Sequence, residues 1–165
     1  MNKLAETARA EALKCYHGAV MGAESNLDEI IMPFPRWKKE EAESLWCAAF
    51  VRHCCNKAGM GIPARPGACV SCNLAGCLAW EEWALADDRI EYLAPSAVEP
   101  APGDIVLFNR VFCDAEHDHI GIIVGVAIDS LTVAEGNFSN VSCLVSRPRD
   151  GHIRAYIRIP DGFVY

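Results

Sequence analysis

The segment SLWCAAFVRHCC, residues 44–55, places three cysteines within nine positions. A thiol becomes a nucleophile when its pKa is lowered, and a helix start lowers it through free backbone N–H groups and the helix dipole. Cys47, Phe50, Val51, Cys54, Cys55 and Ala58 follow the spacing of one apolar helical stripe, with Arg52, His53, Asn56 and Lys57 opposite. Ser44 reads as the N-cap and Gly59 as the C-terminal stop. Cys47 then falls in the first turn, where a thiolate is favoured. Cys54 and Cys55 lie near the far end and read as core. Such a nucleophile needs a base, and the base needs an orienting acceptor. His119 can take the thiol proton, and Glu135 or Asn137 can accept from its other ring nitrogen.

These residues are far apart in sequence, so the elements must bring them together. Residues 2–17 read as an amphipathic helix, and IIMPFPRW as a proline-broken connection into the Cys47 helix. A Gly/Pro-rich loop follows, then a further helix in NLAGCLAWEEWALAD with Asn73 as a possible cap. Past Pro95, Pro100 and Pro102 the character changes to strand runs: IVLF, HIGIIVGVAI, LTVAEG, VSCLVS and IRAYIRIP. Helices first and strands second predict an α+β domain with an antiparallel sheet. AIDSL can close a hairpin between residues 119–127 and 131–136. If paired residue numbers sum to an even value, His119, Glu135 and Asn137 share a face, and the chemistry requires that register.

The bulk numbers narrow the setting. The chain has 165 residues, 52% hydrophobic and 22% charged, which fits one globular domain spanning 1–165. Within it, residues 1–36 form a leading helix and connection and 37–165 the catalytic core. A net charge of −7 offers no basic patch, so no nucleic-acid partner is expected. No apolar run is long enough to span a membrane, so no membrane partner is expected either. The N-terminal twenty residues lack a continuous apolar stretch, so no secretory signal is predicted. The nine cysteines, an odd number, read as reduced thiols of a chain made in the cytoplasm. A monomer is the expected state.

LWCAAFV, PGDIVLF, DHIGIIVGV and TVAEGNFS, in that order, resemble the CHAP family of cysteine, histidine-dependent amidohydrolases and peptidases, of papain-like NlpC/P60 type. The resemblance covers residues 44–137, and IRAYIRIP suits the family's closing strand. It implies Cys47 as nucleophile, His119 as general base, Glu135 as orienter and Asn137 as a second polar partner. It places His119 ahead of His117, its competitor in EHDHIG. It also implies a substrate class, the amide bonds of peptidoglycan stem or cross-link peptides, without saying which bond. No cofactor is implied. Made without a signal, such an enzyme would be a phage-type lysin, an exported effector, or an amidase acting on a small peptide conjugate inside the cell.

Other readings compete. Cys69, Cys72 and Cys77 could be half a zinc site, or a silent zinc-stabilised binding module, but only the remote Cys113 and His117 could complete it. The reading therefore carries no metal. His53 reads as solvated, His17 and His152 as turn residues, and Asp104 as a turn residue before its strand. Trp80 and Trp83 read as core or groove wall rather than a sugar platform.

Overall fold

The computed structural model describes residues 2–19, 24–35, 37 and 45–165. Helices α1 (Lys3–Ala12), α2 (Asp28–Ile31), α3 (Cys47–Lys57) and α4 (Cys77–Ala86) come first. Strands β1 (Glu91–Leu93), β2 (Ile105–Phe108), β3 (His119–Val126), β4 (Ser130–Phe138), β5 (Val141–Pro148) and β6 (Ile153–Arg158) follow. They form one antiparallel sheet in the order β1-β6-β2-β3-β4-β5. The fold is therefore α+β. The five strand runs expected from sequence all appear, while β1 and the single turn α2 were not expected.

Helix α1 is capped by Asn2, whose side chain accepts from Ala5 N at 3.1 Å, and buries Leu4, Ala8 and Ala12. It stops short of the predicted residue 17. Tyr16 and Ser142 instead exchange bonds of 2.9 and 2.7 Å, and His17 bridges to Val141. Pairing with β5 thus outcompetes one more helical turn. Helix α4 starts at Cys77 rather than Asn73, whose side chain accepts from Ala75 N in a local turn.

Residues 47–55 of α3 are all buried, so His53 is not solvated as expected, while Lys57 is exposed. His53 Nε2 bonds Glu11 Oε2 at 2.9 Å, and the Arg52 guanidinium lies over the Phe34 ring at 5.3 Å. The two-faced pattern was read as core and water, but α1 and the segment after α2 supply a second protein surface. Cys54 and Cys55 are fully buried, as expected of core residues. Trp80 and Trp83 are also core.

The sheet alternates between two apolar clusters. Ile105, Leu107, Ile120, Ile122, Ala134 and Ile157 share one with the buried residues of α3. Val106, Phe108, Ile123, Leu131 and Val133 form the other. Gly136 brings β4 close to the start of α3. A Cβ there would lie 2.4 Å from Phe50 Cβ and 2.9 Å from the Trp46 ring. That approach sets the distance between the first turn of α3 and the end of β4.

Candidate active site

Cys47 is the first residue of α3. Trp46 precedes it as N-cap without a side-chain cap bond, and Ala48 N–H donates to the Cys47 sulfur. Ser44, the expected cap, lies outside the described residues. The Trp46 indole donates to Asn140 Oδ1 at 3.1 Å, tying the helix start to the β4–β5 turn.

His119 is the first residue of β3 and is 2% exposed. Its Nε2 donates to Glu135 Oε2 at 2.7 Å, which leaves Nδ1 as the nitrogen for its hydrogen bond with Cys47. Phe108 stacks on the ring at 6.0 Å and Phe112 meets it edge-on at 4.9 Å. The ring is thus held in plane and in tilt.

The hairpin register explains the meeting of His119 and Glu135. Ile122 pairs with Ala134 and Ile123 with Val133, so near the site paired numbers have the even sum that the chemistry requires. A bulge between Ile123 and Gly125 changes that parity only farther along. Gly121 leaves room for the carboxylate: a Cβ on it would lie 3.1 Å from Glu135 Cγ. Asn137 lies two residues beyond Glu135, within the β4–β5 irregularity, with a left-handed backbone (φ 63°). The structure thus joins Cys47, His119 and Glu135 in one line, and Asn137 follows two residues beyond Glu135 on β4.

Two further residues belong to this group. Arg147 on β5 donates to both oxygens of Glu135 and lies over the rings of Phe108, Phe112 and Phe138. Cys77, the first residue of α4, has its sulfur 3.7 Å from that of Cys47. Sequence reasoning missed both roles. Carrying the hairpin register one strand further would have put Arg147 on the face of Glu135, because Glu135 pairs with Cys143 and alternate β5 residues share its face. Nothing in the sequence pointed from Cys77 to Cys47.

The charges follow from these contacts. The Cys77 thiol donates to Cys47, His119 and Ala48 N–H add to it, and together they overcome burial and hold the Cys47 thiol at about 5. Burial alone would lower His119, but its bonds to Cys47 and Glu135 raise it to about 9. Burial would raise Glu135, yet Arg147 and His119 keep it below the ordinary carboxylate range. The lowered Cys47 thiol and the raised His119 imidazole together favour thiolate and imidazolium as the resting pair.

A family model, the CHAP domain, matches residues 38–137, a span that contains Cys47, His119, Glu135 and Asn137. The chain belongs to the CHAP family. Members of this family are cysteine, histidine-dependent amidohydrolases and peptidases. A search of curated proteins finds no match.

The other residues singled out from sequence sit elsewhere in this CHAP domain. His117 is bonded to Glu81, which also holds Arg154 and Tyr92. Asp104 accepts from Ala101 N at 2.8 Å and pairs with Arg158, a turn residue as expected. Among the described residues, no three His, Cys, Asp or Glu side chains converge as a metal site, and Cys69 and Cys72 are exposed while Cys77 is buried.

Proposed function

We propose that this CHAP protein is a cysteine hydrolase that cuts amide bonds of peptidoglycan stem or cross-link peptides through a thioester. The observation that carries the reading is the single hydrogen bond from His119 Nε2 to Glu135, which fixes the imidazole with Nδ1 toward Cys47. The Cys47 thiolate attacks the amide carbonyl. The backbone N–H of Cys47, at an uncapped helix start, is a donor for the developing oxyanion. His119, as imidazolium, protonates the leaving amine through Nδ1 and becomes neutral. The same nitrogen then takes a proton from water, which attacks the thioester and releases the acid and the Cys47 thiolate. Glu135 keeps the ring oriented and stabilises its cationic form, and Asn137 is a second polar partner at the strand end.

The papain-like arrangement, helices against the sheet, goes with this reading. The core that α3 shares with β2, β3 and β4 supports it. Residues 1–165 are taken as one catalytic unit, with 1–36 leading into the core at 37–165. The family supports an amide substrate. Its usual peptidoglycan target supports wall peptide over a small intracellular conjugate. Among the described residues, no helix is long and apolar enough to cross a membrane.

Digestion of purified peptidoglycan with mass analysis of the products tests the reading. New amino groups without new reducing ends are expected, and none with Cys47→Ala. Intact wall material, together with Cys47-dependent cleavage of a small amide conjugate, would replace the wall substrate by that conjugate.

A further inference from the structure

Nine cysteines are free in this chain, and two of them face each other. The Cys47 and Cys77 sulfurs are 3.7 Å apart, at van der Waals contact. Each thiol opens its own helix, and at Cys47 the Ala48 N–H favours an anionic sulfur. Both keep a little exposure, 7% and 8%, whereas Cys54 and Cys55 have none. The pair thus lies nearer to solvent than the other buried thiols. In hydrolysis as described, Cys77 does no more than donate to the Cys47 thiolate and forms no bond to substrate.

We propose that Cys47 and Cys77 form a site of reversible oxidation, at which a peroxide-class oxidant converts the two thiols into a disulfide and switches the nucleophile off. The inference rests on the reading of Cys47 as an activated thiolate. In the first step the Cys47 thiolate attacks hydrogen peroxide. A sulfur–oxygen bond forms and the oxygen–oxygen bond breaks. Sulfur is oxidised to the sulfenic acid, and the departing hydroxide takes a proton to leave as water. In the second step Cys77 attacks Cys47 sulfur. The sulfur–sulfur bond forms, the sulfur–oxygen bond breaks, and the hydroxyl leaves with the Cys77 proton as a second water. The Cys77 thiol is held protonated chiefly by donating to the Cys47 thiolate, and that restraint disappears once Cys47 is oxidised. A disulfide needs the sulfurs about 2 Å apart, so the two side chains must close by less than the width of one atom. A later thiol reductant returns both groups to the starting state.

The test is exposure of the full chain to hydrogen peroxide, followed by intact mass and peptide mapping. The expected product is lighter by two hydrogens, carries a Cys47–Cys77 link, and reverts with dithiothreitol. Cys77→Ser and Cys77→Ala, each checked for folding by circular dichroism, should lose the link. They should instead accumulate Cys47 sulfenic acid, trapped by dimedone, and then sulfinic acid. Overoxidation of Cys47 in the unaltered protein with no link to Cys77 would overturn the proposal while leaving the reactive thiolate intact. A link from Cys77 to Cys72 instead would overturn it equally. Peroxide that leaves Cys47 unmodified would overturn both the proposal and the reading of Cys47 as an activated thiolate.

Discussion

Arg147 grips both carboxylate oxygens of Glu135, with Nε 2.7 Å from Oε1 and Nη2 2.8 Å from Oε2, while His119 Nε2 shares Oε2. The carboxylate is fully buried and carries its charge only because these two partners surround it. Breaking a buried pair by removing one partner costs about 3–5 kcal/mol. Arg147→Met should destabilise the fold by about that amount in urea unfolding. The pH dependence follows from the lowered Glu135 pKa. A depressed carboxylate stabilises the fold above its unfolded value, and that contribution is lost as pH falls through the folded value. Without Arg147 the folded value rises, so acid unfolding should begin at a higher pH than in the unaltered protein. An unchanged acid midpoint would show that Arg147 does not hold the carboxylate.

Glu135→Gln keeps the shape of the acceptor but removes its charge and presents an amide N–H₂ to a neighbouring donor. Activity on the wall substrate should fall about 10²–10⁴-fold in a protein that still folds. His119 should also lose its proton more readily, so the alkaline limb of the activity profile should move down from about pH 9. Steady-state rates across pH measure both effects. Full activity with an unmoved limb would mean that Glu135 is not the orienter, and Asn137→Ala would then be the next variant to try.

The two histidines of EHDHIG have different partners, His119 with Cys47 and Glu135, and His117 with Glu81. His119→Ala should cost about 10³-fold or more in turnover, because a base that acts with its nucleophile as a unit cannot be spared. His117→Ala should keep most turnover and lose about 1 kcal/mol of stability, since Arg154 and Tyr92 still hold Glu81. The opposite ranking would move the active site by two residues along the chain.

Legibility in the sequence followed the range of the interaction. The Cys47 helix and the strand runs could be read because periodicity and turns are local, whereas the even hairpin register was only what the chemistry required. The placement of Glu135 beside His119 followed from that register. What was missed depends on contacts between distant elements. His53 was read as solvated because a polar face says nothing about a second layer, which α1 provides for it and Phe34 for its neighbour Arg52. Residues 13–17 have helical character, but Tyr16 and His17 bond to β5 instead. Cys77 drew attention only as a possible zinc ligand, since its neighbour is thirty residues away and is reached only where the starts of α3 and α4 meet.

The central claim is that Cys47 rests as a thiolate paired with the His119 imidazolium, and alkylation tests it without any assumed substrate. The rate of iodoacetamide labelling at each cysteine can be followed by peptide mapping from acid to alkaline pH. The account predicts that Cys47 reacts first, that its rate rises with a midpoint near pH 5, and that it changes again near pH 9 as His119 loses its proton. A Cys47 rate that rises only near the ordinary thiol value of about 8.5, with labelling spread evenly over other cysteines, would contradict it.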